Sequence, residues 1–179
     1  ARASIFSGSS VGDDHNTSGL GRATTPAALG AIYTECLRRP EGGQAQSLAF
    51  SLDGGETWTQ HAHNPVLDLE TQDFRDPKVF WHAPTARWIM AVVLPNERQV
   101  VFYGSSNLRQ WAELSRFGSA LANQGIWECP DLFALPIVDA AGAPRGQDGP
   151  PRTAWLLKVD VFEGHPSQGS GARLFVGQF

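Results

Sequence analysis

The sequence predicts an all-β fold made of repeated sheets, on three observations. Nineteen glycines and twelve prolines interrupt the 179 residues too often for a long amphipathic helix. Short apolar runs recur between those turn signals, as strands do. Two unrelated markers then repeat at nearly one interval: Ser51-Leu52-Asp53-Gly54-Gly55-Glu56-Thr57-Trp58 returns in degenerate form at Ser105-Ser106-Asn107-Leu108-Arg109-Gln110-Trp111, 54 residues on, and Asp76-Pro77-Lys78-Val79-Phe80 returns at Asp131-Leu132-Phe133-Ala134-Leu135, 55 residues on. A unit of about 50 residues holding several strands is the size of one β-propeller blade, so this chain supplies about three blades.

In chain order, the strands are expected at 9–11, 31–34, 46–51, 78–81, 87–94, 99–104, 131–135, 154–161 and 173–179, each bounded by turn residues. The strand at 46–51 runs into the S-x-D-x-G-x-T-W pattern of an Asp-box, a hairpin turn whose Asp and Ser side chains take nearby backbone groups. The stretches at 87–94 and 99–104 are the most continuously apolar. Segment 139–152, with three prolines and three glycines, reads as a solvent loop between two strands and not as a domain boundary.

Composition narrows the function classes. With 41% hydrophobic and 18% charged residues, the chain has an ordinary globular balance, and its longest apolar runs fall far short of the roughly 20 residues that cross a bilayer. The net charge is −4 and basic residues stand singly, which argues against nucleic acid as a partner. No basic segment followed by an apolar stretch opens the chain, so no signal peptide is visible. The five histidines and two cysteines show no metal-ligand spacing, and no metal or cofactor is expected. One disulfide between Cys36 and Cys129 is open by count alone.

Two clusters place charged groups beside bulky apolar residues at strand starts: Phe74-Arg75-Asp76-Pro77-Lys78-Val79-Phe80-Trp81 and Gly125-Ile126-Trp127-Glu128-Cys129-Pro130-Asp131-Leu132-Phe133. Both would open a blade, so Asp76 and Glu128 should face the central axis from neighbouring blades and share one funnel. Arg75 should keep Asp76 ionised, while a less polar wall of Trp127 and Cys129 should raise the pKa of Glu128. Acid-catalysed glycoside cleavage requires that division of labour. Taken alone, an Arg-Asp pair is more often structural than catalytic.

Further motifs carry a resemblance. Ile5-Phe6-Ser7-Gly8-Ser9-Ser10-Val11 is similar to FSGSAV, Asn16-Thr17-Ser18-Gly19 to NTSG, Ala31-Ile32-Tyr33-Thr34 to AIYT, 46–51 to QSLAYS and Asn64-Pro65-Val66 to NPV. Arg75-Asp76-Pro77 is similar to RDP, 127–131 to WECPD and Leu174-Phe175-Val176-Gly177 to YFVG. In this order they resemble glycoside hydrolase family 32, the β-fructosidases that include levanases, exo-inulinases and invertases, with FSGS and WECPDLF nearer the microbial levanases and exo-inulinases than the plant invertases.

The resemblance implies a retaining enzyme on a five-bladed propeller followed by a β-sandwich, cleaving terminal β-D-fructofuranosyl units from levan, inulin or sucrose. Glu128 would be the acid/base and Asp76 the transition-state stabiliser. Arg75 would hold substrate and carboxylate, Phe6 and Ser7 would line the fructosyl pocket, and Trp127 would wall the site. Cys129 would tune Glu128, which calls for a free thiol. The family's nucleophile, an Asp in a motif like WMNDPNG ahead of FSGS, has no match here, because Asp13 and Asp14 fall after FSGS. The expectation is therefore that residues 1–179 are part of the catalytic propeller domain. The nucleophile segment, the last blades and the sandwich would lie outside them, and the isolated chain would be inactive. Secretion follows by analogy, since fructan polymers are met outside the cell. The competing readings are a non-catalytic carbohydrate-binding propeller and a fructosyltransferase of the same family.

The remaining features have plainer explanations. The sequon at Asn16 coincides with the NTSG motif, a structural reason for its residues. Trp58, Trp88, Trp111 and Trp155 are expected in blade packing, and Trp81 with Trp127 at the site wall.

Overall fold

The two most apolar stretches become the middle strands of the central sheet, and alternation along them divides the core in two. In the computed structural model, residues 4–21, 27–37, 40, 42–118, 125–140, 142 and 152–179 are described. The first sheet holds β1 (Ser4–Asp13), β2 (Ala28–Cys36), β3 (Gln44–Ser51) and two short outer strands, β4 (Thr59–Gln60) and β5 (Leu67–Asp68), both paired with β3. The second is β6 (Arg75–His82), β7 (Arg87–Leu94), β8 (Gln99–Ser105) and β9 (Ala112–Gly118), and the third is β10 (Ile126–Pro136), β11 (Thr153–Phe162) and β12 (Gly171–Gly177). Every ladder is antiparallel, and among the first strands β6 adjoins β1 on one side and β10 on the other, as the inner strands of propeller blades do.

Because side chains alternate across a strand, Trp88, Met90, Val92 and Leu94 of β7 join one core while Ala91 and Val93 join another. On β8, Val101 and Tyr103 go to the first core, and Val100 and Phe102 to the second. The first core, with Ile32, Leu48 and Phe74, cements blades one and two; the second, with Trp127, Leu157 and Val159, cements blades two and three. Each large apolar side chain so buried contributes roughly 1.5–3 kcal/mol.

All nine expected strands are present, most of them extended. The outer strands β4, β5 and β9 were not foreseen; β4 and β5 are two residues each, and β9, AELSRFG, is mostly exposed and carries no core stripe. The loop expected at 139–152 lies largely outside the described residues. In blade one the side chain of Asn64 completes the outer edge: its Nδ2 donates to the Leu48 carbonyl and its Oδ1 accepts the Leu48 N–H, both at 2.9 Å. That assigns the Asn-Pro-Val motif to the scaffold.

Both marker turns join the third strand of a blade to the fourth. In the first, Asp53 accepts the Thr57 N–H (2.9 Å) and hydroxyl (2.6 Å), and Ser51 Oγ accepts the Gly55 N–H (2.8 Å). In the second, Asn107 replaces Asp53 and accepts from the N–H groups of Arg109 and Gln110 at 3.0 Å. Trp58 and Trp111 each donate Nε1–H to the carbonyl three residues back. Trp58, expected in packing, is instead exposed.

A second repeat is visible only in register. Each inner strand bulges at one place, setting two of its residues against one on the next strand: Phe6 and Ser7 against Thr34, Asp76 and Pro77 against Val92, Cys129 and Pro130 against Val159. Equivalence therefore runs from Arg75 to Glu128, from Asp76 to Cys129 and from Lys78 to Asp131, a spacing of 53 residues. The 55-residue match of Asp76 with Asp131 pairs positions the blades do not share. Just past the first bulge stands Gly8, where a Cβ would collide with the carbonyl oxygen of Ile32.

Candidate active site

The bulges re-aim the motif side chains, and equivalent positions of neighbouring blades meet. Asp76 and Cys129 both have left-handed backbone, φ 63° and 46°, a conformation unfavourable to residues other than glycine and one that surrounding structure must hold. Asp76 is buried; its Oδ2 accepts the Cys129 N–H at 2.9 Å and the Cys129 thiol at 3.6 Å. One position earlier, Arg75 donates from Nη2 (2.8 Å) and Nε (3.3 Å) to Oε1 of Glu128, and from Nη1 (2.9 Å) to Asp73. Two positions beyond Asp76, Lys78 pairs with Asp131 at 3.0 Å. On the other side Ser9, equivalent to Val79, donates to the Pro77 carbonyl and accepts the Val79 N–H, each at 2.9 Å.

Electrostatics follow from these contacts. Burial alone would lower the pKa of Arg75, but hydrogen bonds to Glu128 and Asp73 and the charges of Glu128 and Asp76 outweigh it and raise it, so the guanidinium is a fixed cation between carboxylates. Burial of the Cys129 thiol, the charge of Asp76 and their hydrogen bond push that thiol up to about 11. Cys129 therefore remains protonated and donates to Asp76. Both cysteines are free, as the sequence reading required of Cys129.

Asp76 lines a hollow of about 380 Å³ with Ser7, Lys78, Cys129, Asp131 and Lys158. Glu128 borders a hollow of about 310 Å³ with Asp160, Phe162 and Ser170. Arg75, next in the chain to Asp76 and bonded to Glu128, links the two carboxyl groups.

Two more expectations need correction. Trp127 does not wall the site: it is fully buried in the second core, its ring 5.8 Å from that of Phe175, because it alternates with Glu128. Nor does Trp81, which meets Trp88 edge-on (ring centroids 5.1 Å apart) at the far end of β6 and packs against the first core. Ser7 lines the same hollow as Asp76. Phe6 is exposed on the β1 bulge beside it, at the position equivalent to Asp76.

Sequence reasoning missed the polar residues behind the site. Gln44 accepts the Phe74 N–H (2.9 Å) and lies 3.4 Å from Arg75 Nη1, while Asn96 donates to Asp73 (2.7 Å). Thr34 and Gln46 are completely buried. The signal was weak, because β2 and β3 carry other polar residues, Glu35, Gln44, Ser47 and Ser51, beside Thr34 and Gln46. NTSG is likewise structural: Asp13 accepts N–H groups of Thr17 and Ser18, and Thr17 in turn accepts the Trp88 indole N–H. Burial would raise the pKa of Asp13, but these hydrogen bonds prevail and lower it. Among the described residues no group of three or more His, Cys, Asp or Glu side chains is arranged to hold a metal ion.

Comparison with known proteins agrees with this architecture. The family model described as glycosyl hydrolases family 32 N-terminal domain matches residues 1–179. A levanase of Bacillus subtilis (strain 168) is 44% identical over 181 residues, covering 99% of this chain and 24% of the levanase. An extracellular exo-inulinase of Meyerozyma guilliermondii is 38% identical, covering 98% of this chain and 32% of that protein. Among solved structures, a β-fructofuranosidase from Schwanniomyces occidentalis complexed with fructosyl-erythritol superposes with a TM-score of 0.83 at 38% identity, over 99% of this chain and 32% of that one. An exo-inulinase from Aspergillus awamori gives 0.85 at 36% identity, over 100% and 36%. The chain thus spans between a quarter and about a third of these relatives. With a family model matched from end to end and three sheets arranged as propeller blades, the chain belongs to glycosyl hydrolase family 32, within its N-terminal domain.

Proposed function

We propose that these residues form part of the active site of a retaining glycoside hydrolase that removes terminal β-D-fructofuranosyl units from levan, inulin or sucrose. The observation that carries the reading is the contact of Arg75 with Glu128 across two blades, with Asp76 next in the chain. Both bonds from Arg75 go to Oε1 of Glu128, so Oε2 is the oxygen that delivers the proton to the leaving glycosidic oxygen and later withdraws one from water. Asp76 binds fructosyl hydroxyls and stabilises the oxocarbenium-like transition state, held by the Cys129 N–H. Ser7 and Phe6 line the sugar pocket. The nucleophile is a carboxylate outside residues 1–179, in a longer chain that also completes the propeller and adds a sandwich domain. Relatives named as levanase and exo-inulinase support fructan as substrate, and those named extracellular support secretion.

The test is fructose release from levan, inulin and sucrose by the longer protein and its Glu128→Gln variant. Release by the parent and a loss of about 10²-fold or more in the variant is expected; equal rates would remove Glu128 from the role. Levan binding by a parent that releases no sugar would favour the carbohydrate-binding alternative, and transfer of fructose to a second sugar in place of water would favour the transferase.

A further inference from the structure

The three blades present the same packing position with different chemistry. Opposite the bulge, the second strand carries Val92 in blade two and Val159 in blade three, both fully buried. Blade one has Thr34 there, isosteric with valine and equally buried. The residue paired with it on the third strand is Gln46 in blade one and Val101 in blade two, again both completely buried. In blade three that third-strand position holds Arg173, so the completely buried valine pair of blade two is the apolar counterpart of the polar pair in blade one, whose burial needs another reason.

Its hydrogen bonds supply one. Thr34 donates its hydroxyl hydrogen to Oε1 of Gln46 (3.0 Å), and Gln46 donates from Nε2 to the Phe74 carbonyl (2.7 Å). The Thr34 oxygen is then left to accept the N–H of Asp76, at 2.9 Å. The direction of each bond is set by the next, because a carbonyl can only accept. At the junction of blades two and three the equivalent N–H, that of Cys129, is taken by the Asp76 carboxylate itself. Thr34 and Gln46 therefore grip the backbone on both sides of Arg75, at Phe74 and Asp76, where Asp76 is held at φ 63°.

We infer that Thr34 and Gln46 are positioning residues for the reaction: a buried relay from blade one that fixes the left-handed backbone of Asp76 and so the placement of its carboxylate. The inference rests on the fructosidase reading of the site for its kinetic consequence, but not for its structural one. A displacement of about 1 Å at such a group can cost up to roughly 10²-fold in rate.

The test compares Thr34→Val, Thr34→Ser and the double variant Thr34→Val/Gln46→Val, which installs the valine pair of blade two, in the longer protein. Ser51→Ala, which loosens the Asp-box at the other end of blade one, serves as a destabilised control. Thr34→Val and the double variant are expected to lower kcat at least tenfold with a smaller rise in KM, Thr34→Ser to stay near the parent, and Ser51→Ala to lose thermal stability with kcat unchanged. Hydrogen exchange at the Asp76 amide, read by mass spectrometry with fragmentation, should speed up in Thr34→Val and not in Ser51→Ala. An active parent whose Thr34→Val variant keeps its kcat would overturn the positioning role, as would unchanged exchange at Asp76. A parent with no fructosidase activity would defeat the proposed function instead, and the exchange arm would still decide the relay.

Discussion

Asp53 and Asp76 are both carboxylates that hold an irregular stretch of backbone, yet they do so at opposite ranges. The partners of Asp53 are Ser51 and Thr57, within four residues, and the turn closes on itself at an exposed blade end. Asp76 is tied through groups 42 and 53 residues away, on two other blades. Local hydrogen bonds pull the pKa of Asp53 from 3.8 to about 2, the Thr57 bonds first among them, although it is a fully exposed turn residue whose bonds close within the Asp-box. A perturbed acid is thus no guide to function by itself. Carboxylates and cations from different sheets converging on one hollow are a better one.

The comparison breaks most readily at the long-range end. Glu128→Gln should lower kcat by about 10² to 10⁴, since it leaves shape intact and removes the transferable proton. Asp76→Asn should cost roughly 10² in kcat through lost transition-state charge, while thermal unfolding stays close to the parent. Arg75→Lys keeps the charge but not the fork that serves Glu128 and Asp73 together, and about a tenfold fall in kcat/KM is expected.

Sharper still is a residue that adjoins the site in sequence and not in space. Trp127→Ala should reduce stability by about 3–5 kcal/mol in a denaturant titration, whereas Trp127→Phe should leave kcat/KM near the parent value. A wall residue would show the reverse order.

The smallest effect belongs to Asp53. Its folded-state value lies below the unfolded one, so its contribution to stability is complete above about 3.8 and fades as pH falls toward about 2. Asp53→Asn should flatten the acid side of the stability curve in that window and leave activity at neutral pH unchanged.

Much of this was legible in the chain because it is local. The Asp-box needs only residues 51 to 58, and the apolar runs that become β7 and β8 announce themselves by composition. The family resemblance likewise rested on contiguous motifs. Strands β4, β5 and β9 were not legible, since two are very short and the third is mostly exposed, leaving no hydrophobic period to read.

By itself the sequence determined an all-β chain of repeated blades and the motif residues Arg75, Asp76 and Glu128. The tertiary structure alone decided that Arg75 is equivalent to Glu128 and Asp76 to Cys129, that Trp127 faces the core, and that Thr34 and Gln46 stand behind Asp76. The physical reason is the bulge. One extra residue reverses which face each later side chain takes, and its position shows only when the strand is paired with its neighbour.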